Sequence, residues 1–180
     1  MTSPKGRNKG RATSPGDAVI DNTLFSRLIY LELADFLPFI FKQIRIPPEV
    51  RKEAARSQGK LKKRLAKKIA EMKGFFIDCR EADEMVAEFL KADLDRGEAA
   101  AIAQAAYLGV SLLIDEEKGT KRAKNMSIEV IRTGRLLLML KEAGAIEEVR
   151  PYLDRLKHSD FFLKENVYKD ILQMAGEEII

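Results

Sequence analysis

Apolar and polar positions change their period repeatedly along the chain, and each change marks a short element. Ala18, Val19 and Ile20 form a continuous apolar run that ends at Asp21-Asn22-Thr23. This predicts a buried strand turning into a helix. Leu24, Leu28 and Leu31, with Ile29, then recur at helical spacing. Residues 33–42 are densely apolar, and Pro38 within them is expected to kink or interrupt a helix. Ile44-Arg45-Ile46 alternates as a short strand, and Pro47-Pro48 ends it and opens a helix carrying Glu49, Val50 and Glu53. Ser57-Gln58-Gly59 breaks that helix. Residues 60–73 place Leu61, Leu65, Ile69 and Met72 on one stripe and basic side chains elsewhere, the pattern of an amphipathic helix closed by Gly74. A strand is expected at 75–79 and a helix at 82–91, with Met85, Val86, Phe89 and Leu90 on one side.

Residues 94–123 organise the rest. Asp95-Arg96-Gly97-Glu98 reads as a helix start, an alanine-rich helix runs from Ala99 to Tyr107, and Gly109 stops it. An apolar run at 110–114 then ends in acid at Asp115, Glu116 and Glu117. Beyond it come a short helix at 121–126, a strand at 128–131 and a leucine-rich helix after Thr133-Gly134, capped by Gly144. Helices at 147–156 and 165–174 follow, with Phe161-Phe162 as an edge strand between them. Strands alternating with helices predict an α/β fold: a central, mostly parallel sheet flanked by helices in a three-layer sandwich.

Composition narrows the class. The 180 residues suit one domain at 17–180, preceded by a basic tail at 1–16 expected to be disordered. Lys5, Arg7, Lys9 and Arg11 in that tail suit either solvent or phosphate. The net charge of +4 permits nucleic acid without requiring it. Cys79 and His158 are each the sole residue of their kind, which excludes an internal disulfide framework and a Cys/His zinc cluster. No apolar run approaches a membrane span and no secretory signal is evident, so a cytoplasmic protein with no membrane partner is expected.

The motifs of several chemistries are missing. No G-x-G fingerprint, P-loop or G-x-S-x-G elbow occurs, and Thr23 stands where an aspartyl-nucleophile enzyme would carry its second Asp. What remains is a set of carboxylates at element ends. Asp21 either caps the following helix or, if Thr23 caps it, is free for function. Glu53 shares a helix face with Glu49 and reads equally as ligand or surface residue. Glu98 completes a capping box with Asp95 or belongs to a site. Asp115 closes a strand as a turn residue or a site residue, while Glu116 and Glu117 behind it include at least one that faces solvent. A parallel sheet brings such residues to one edge, where ligands of open α/β sheets bind. Carboxylates that share a small site repel one another, and a divalent cation relieves the repulsion. Oxygen ligation suits Mg²⁺ or Mn²⁺, which can make a hydroxide nucleophile and stabilise charge on a phosphoryl oxygen.

The series Val19-Ile20-Asp21-Asn22-Thr23, Ile46-Pro47-Pro48-Glu49-Val50 with Glu53, Leu94-Asp95-Arg96-Gly97-Glu98-Ala99, Leu113-Ile114-Asp115-Glu116 and Thr133-Gly134 resembles PIN domains. The resemblance spans about residues 18–177 and is greatest to toxin-like prokaryotic members with a Gly-Glu-Ala helix start. It implies a Mg²⁺- or Mn²⁺-dependent endoribonuclease with Asp21, Glu53, Glu98 and Asp115 as catalytic residues. Asp21, Glu98 and Asp115 would be the metal ligands, and Thr23 and Glu116 would support them. It further implies RNA as substrate, a protein antitoxin in a toxin–antitoxin pair, and a dimer. Arg132 and Thr120 depart from the family pattern near the expected mouth of the site. The basic positions Lys62, Lys63, Arg64, Lys67 and Lys68 suit an RNA backbone, a solvated face, or, through the apolar stripe beside them, a dimer or partner interface. The alternative function is a non-catalytic PIN-like module that binds RNA or protein.

Overall fold

The computed structural model describes residues 16–56, 59–79, 83–91, 94–159 and 163–178, without the side chains of residues 83, 86 and 87. Of the tail expected at 1–16, only Gly16 lies within that range. The expected breaker at 57–58 and edge strand at 161–162 lie outside it.

Five strands form one parallel sheet in the order β3-β2-β1-β4-β5. They are β1 (Asp17–Ile20), β2 (Gln43–Ile46), β3 (Phe76–Asp78), β4 (Ser111–Leu113) and β5 (Val130–Ile131). The helices are α1 (Asn22–Leu31), α2 (Pro48–Arg56), α3 (Gly59–Glu71), α4 (Asp83–Leu90), α5 (Arg96–Leu108), α6 (Glu117–Asn125), α7 (Thr133–Glu142), α8 (Arg150–Lys157) and α9 (Glu165–Met174). A short 3₁₀ helix, Ala34–Phe39, accommodates Pro38 where an α-helix would have lost a hydrogen bond. β1 is the central strand, and Ala18, Val19 and Ile20 are fully buried in it, as expected for a parallel strand covered on both faces.

The order matters for function. Strands β2 and β3 lie to one side of β1, and β4 and β5 to the other. Chain direction across the sheet therefore reverses between β1 and β4, and the loops leaving these two strands part to opposite faces. A crevice at the carboxyl ends of such a strand pair is where doubly wound sheets bind their ligands. Ile20 pairs with Leu113, and the Asp21 N–H donates to the Leu113 carbonyl at 3.0 Å, so Asp21 and the end of β4 are locked side by side.

Helices α6 and α8 start at other positions than the sequence predicts; α8, expected from 147, begins at Arg150. The helix expected at 121–126 begins at Glu117, because Glu116 accepts from the Gly119 N–H at 3.0 Å and caps it. On α3, Leu65 is buried, and Leu61, Ile69 and Met72 are half-buried against the main core. Among the described residues no helix is long and apolar enough to cross a membrane.

Candidate acidic site at the sheet edge

Asp21 lies just past β1, and its carboxylate does two different things. Oδ1 accepts the Leu24 N–H at 2.8 Å and caps α1. Oδ2 is buried with no hydrogen-bond partner. Thr23 is not the cap; it is exposed, and its backbone N–H helps to hold the Asp21 carboxylate. Asp21 is thus the cap of α1 through one oxygen, while the other is left without a hydrogen-bond partner. The residue is 1% exposed, and its pKa is pushed up to about 8. Burial is the main cause, and the nearby charges of Asp115 and Glu98 add to it against the pull of the Leu24 and Thr23 N–H groups.

Asp115 stands across the crevice beyond β4, and its surroundings are the reverse. Oδ1 accepts the Thr133 N–H at 2.9 Å at the start of α7. Oδ2 accepts both the Thr133 hydroxyl and the Arg27 guanidinium. Arg132 adds its charge, with Nε 3.8 Å from Oδ1, and donates from Nη2 to the Asp115 carbonyl at 2.8 Å. The departure from the family pattern at Arg132 therefore steadies the acid opposite Asp21. Thr120, the other departure, has a buried hydroxyl without a hydrogen-bond partner at the first turns of α6.

Glu98 is buried in the first turn of α5, and Asp95 caps that helix by accepting the Glu98 N–H at 2.8 Å. The Glu98 carboxyl is pushed up to about 7, by burial first and then by the charges of Asp95, Glu116 and Glu53. Gly119 at the head of α6 brings backbone close to it: a Cβ there would lie 3.8 Å from Glu98 Oε2. Glu53 reaches the same corner from α2. Its carboxylate lies over Gly97, where an added Cβ would meet Oε2 at 2.3 Å, and the Gly97 N–H holds it. Its pKa is raised by burial and by Asp95. Gly97 is thus required for space, and the Gly-Glu pair at the head of α5 seats two acids together.

The fold brings Asp115 and Glu98 each within electrostatic reach of Asp21, and Glu53 within reach of Glu98. Glu116 joins as the α6 cap, acting on Glu98 through its charge. Among the described residues, however, no three Asp, Glu, His or Cys side chains are drawn into a ready-made metal cage. A cleft of about 730 Å³ opens beside Asp115 and Glu116, walled by Arg27, Lys124, Arg132, Arg135 and Lys164.

The basic positions of α3 lie elsewhere. Arg64 donates to the Ile29 carbonyl at 2.8 Å and pairs with Glu32, while Lys68 pairs with Asp35 and Glu71, and Lys67 with Glu71. Glu32 and Asp35 lie beyond the far end of α1, so these pairs sit toward the opposite edge of the sheet from Asp21. Lys62 and Lys63 are exposed.

Sequence reasoning passed over Arg27 as a site residue, because an arginine on an amphipathic helix looks like any solvated charge. It also left Thr133 as part of a helix start. Nothing in their spacing connects either to Asp115, which is distant in sequence.

Together, a doubly wound parallel sheet and an acid cluster at its switch point define the class of protein: an α/β domain with an acidic crevice at the carboxyl ends of its central strands. The chain belongs to the PIN domain family, whose sequence model it matches over residues 17–177. A search of curated proteins finds no significant match.

Proposed function

We propose that the chain is a Mg²⁺- or Mn²⁺-dependent endoribonuclease of the PIN type. The observation that carries this reading is the buried, unpartnered Oδ2 of Asp21 beside Asp115 and Glu98. Burying an acceptor without a partner, among like charges, is costly unless something positive binds there. Hard carboxylate oxygens around an open position fit a small divalent cation that keeps part of its water shell. Asp21, Glu98 and Asp115 would hold it, and when bound it would supply an activated water and charge neutralisation at a phosphodiester. The protein's own part is positional. Oδ1 of Asp21 is pinned by the α1 cap, Thr133 and Arg27 orient Asp115, Gly97 seats Glu53, and Glu98, raised to about 7, can hold a proton near neutral pH. Basic side chains along the adjoining cleft favour an anionic strand there.

The family membership supports a nuclease-type fold. The RNA substrate, a role as the toxin of a toxin–antitoxin pair with a protein antitoxin over the cleft, the dimer and the cytoplasmic location are part of the proposal. One observation favours the alternative, a PIN module that binds RNA or protein without cutting: both Asp115 oxygens already accept hydrogen bonds from the chain itself. Cleavage of a labelled structured RNA with Mg²⁺, with Mn²⁺ and with chelator decides between them, with Asp21→Asn purified in parallel. Metal-dependent cleavage lost in the variant establishes the nuclease. Binding without cleavage in both establishes the module. Growth arrest on expression of the wild type, absent with Asp21→Asn, supports the toxin role.

A further inference from the structure

The two sides of the acid cluster are unequally supplied with positive charge, since Arg27 and Arg132 both lie on the Asp115 side and only Arg27 is hydrogen-bonded to its carboxylate. A carboxylate oxygen offers two lone pairs in its plane. At Asp115 Oδ2 both are taken, by the Thr133 hydroxyl and by Arg27 Nη1. At Asp21 Oδ2 neither is taken. A cation that joins Asp21 to Asp115 through Oδ2 must therefore displace one of these donors. Thr133 cannot leave readily, since its backbone N–H holds Oδ1 of the same carboxylate at 2.9 Å and its side chain is short. Arg27 can leave. It reaches Asp115 along a flexible stem from α1, its side chain is 20% exposed, and it lines the cleft of about 730 Å³ beside the acids.

Resting on the metal-dependent reading above, we infer that Arg27 is an exchangeable counter-ion. Its guanidinium holds Asp115 until a divalent cation reaches the cluster, and it then turns to a phosphate of the bound strand in the cleft. Arg27 thereby competes with the metal at Asp115 and contributes to substrate binding once displaced. A guanidinium suits both partners, since it matches carboxylate and phosphate alike.

The test is calorimetric titration of Mn²⁺ into the full chain as wild type, Arg27→Gln, Arg27→Lys and Asp21→Asn, with circular dichroism to confirm folding. Removing the competitor should tighten Mn²⁺ binding about ten-fold in Arg27→Gln, the scale of one hydrogen bond to a charged group. Arg27→Lys should fall between Arg27→Gln and wild type, because a more strongly hydrated ammonium holds a carboxylate less well. It carries the test if the glutamine variant does not fold. A residue that only held Asp115 in position would give the opposite sign. Equal or weaker Mn²⁺ binding in the Arg27 variants, with binding still lost in Asp21→Asn, overturns the inference and leaves the metal site standing. No Mn²⁺ binding in the wild type overturns both. In saturating Mn²⁺, a 2′-O-methyl RNA that cannot be cleaved should bind several-fold more weakly to Arg27→Gln; unchanged RNA affinity overturns the phosphate contact.

Discussion

Two regions of this molecule are dense in charge and treat it in opposite ways. On α3, Arg64, Lys67 and Lys68 are solvated and answered by Glu32, Asp35 and Glu71. Exposed pairs of this kind contribute about 0–1 kcal/mol and are screened by salt. At the carboxyl edge of the sheet, Asp21 and Glu98 are buried among like charges, and both are raised toward or above neutrality. The first arrangement is what any soluble helix does with lysine and arginine. The second disfavours folding in its ionised form, so it is where a ligand would restore stability. The difference teaches that charge density alone is a poor guide to a site; burial without partners is the informative part.

The largest expected effect tests the buried side. Asp21→Asn should lower cleavage at least about a thousand-fold, the scale of removing one principal electrostatic group from an active site. Its melting temperature without metal should stay level or rise, since a buried ionisable group is replaced by a neutral one that can still accept the Leu24 N–H. A variant that unfolds would mark Asp21 as structural.

Metal should act through the same residue. Saturating Mn²⁺ should raise the melting temperature of the wild type, by an amount equivalent to about 2.7 kcal/mol at a hundred-fold excess over the dissociation constant. Asp21→Asn should show little or none of this. An equal shift in both would place the ion elsewhere, the exposed acids included.

Gly97→Ala separates site geometry from stability. The added methyl would sit 2.3 Å from Glu53 Oε2, so the flexible carboxylate must move. The helix itself tolerates alanine well. Melting should change little, while cleavage should fall about ten- to a hundred-fold, the scale of an ångström-sized misplacement.

The pH dependence follows from the sign of the shifts. Asp21 is raised from 3.8 to about 8 and Glu98 from 4.5 to about 7. From about pH 4 upward the unfolded chain has released protons that the folded chain still holds. Without metal, stability should therefore be fullest at the acid end of that window, fall as pH rises through it, and level off above about pH 8. Each proton contributes at most about 1.4 kcal/mol per pH unit. Urea midpoints in chelator across this range check it, and Asp21→Asn should flatten the slope.

The smallest effect is expected on α3. Lys62→Ala with Lys63→Ala should leave stability within about 0.5 kcal/mol and cleavage within about two-fold if RNA follows the cleft beside Asp115. A marked loss of RNA affinity, with a salt dependence reduced by about two ions, would bring the basic face of α3 into the RNA path.

Much of this was legible in one dimension because its causes are local. The apolar triplet before Asp21, Pro47-Pro48 before α2, Asp95 as the cap of α5 and Gly109 at its end, with φ of 65°, each act through neighbours within a turn. Alternation of strands and helices then implied a parallel sheet. The order of acids along the chain named Asp21, Glu53, Glu98 and Asp115, but each kept a plain structural reading beside the functional one, since spacing does not report burial or partners. Only the tertiary structure separated the two oxygens of Asp21, one capping α1 and one left without a partner. Only it joined Arg27 and Thr133 to Asp115, and Glu53 to Gly97, across long separations in sequence. It also set the apolar stripe of α3 against the main core, with Leu65 fully buried. The sequence by itself determined the elements, their alternation and the acids at their ends, because backbone preference and side-chain period act over a few residues. Which acid is paired and which keeps a buried oxygen without a partner was decided by the packing of α1, α5 and α7 around the β1–β4 crevice, because electrostatics depends on distance and solvent access, and both are set by the whole fold.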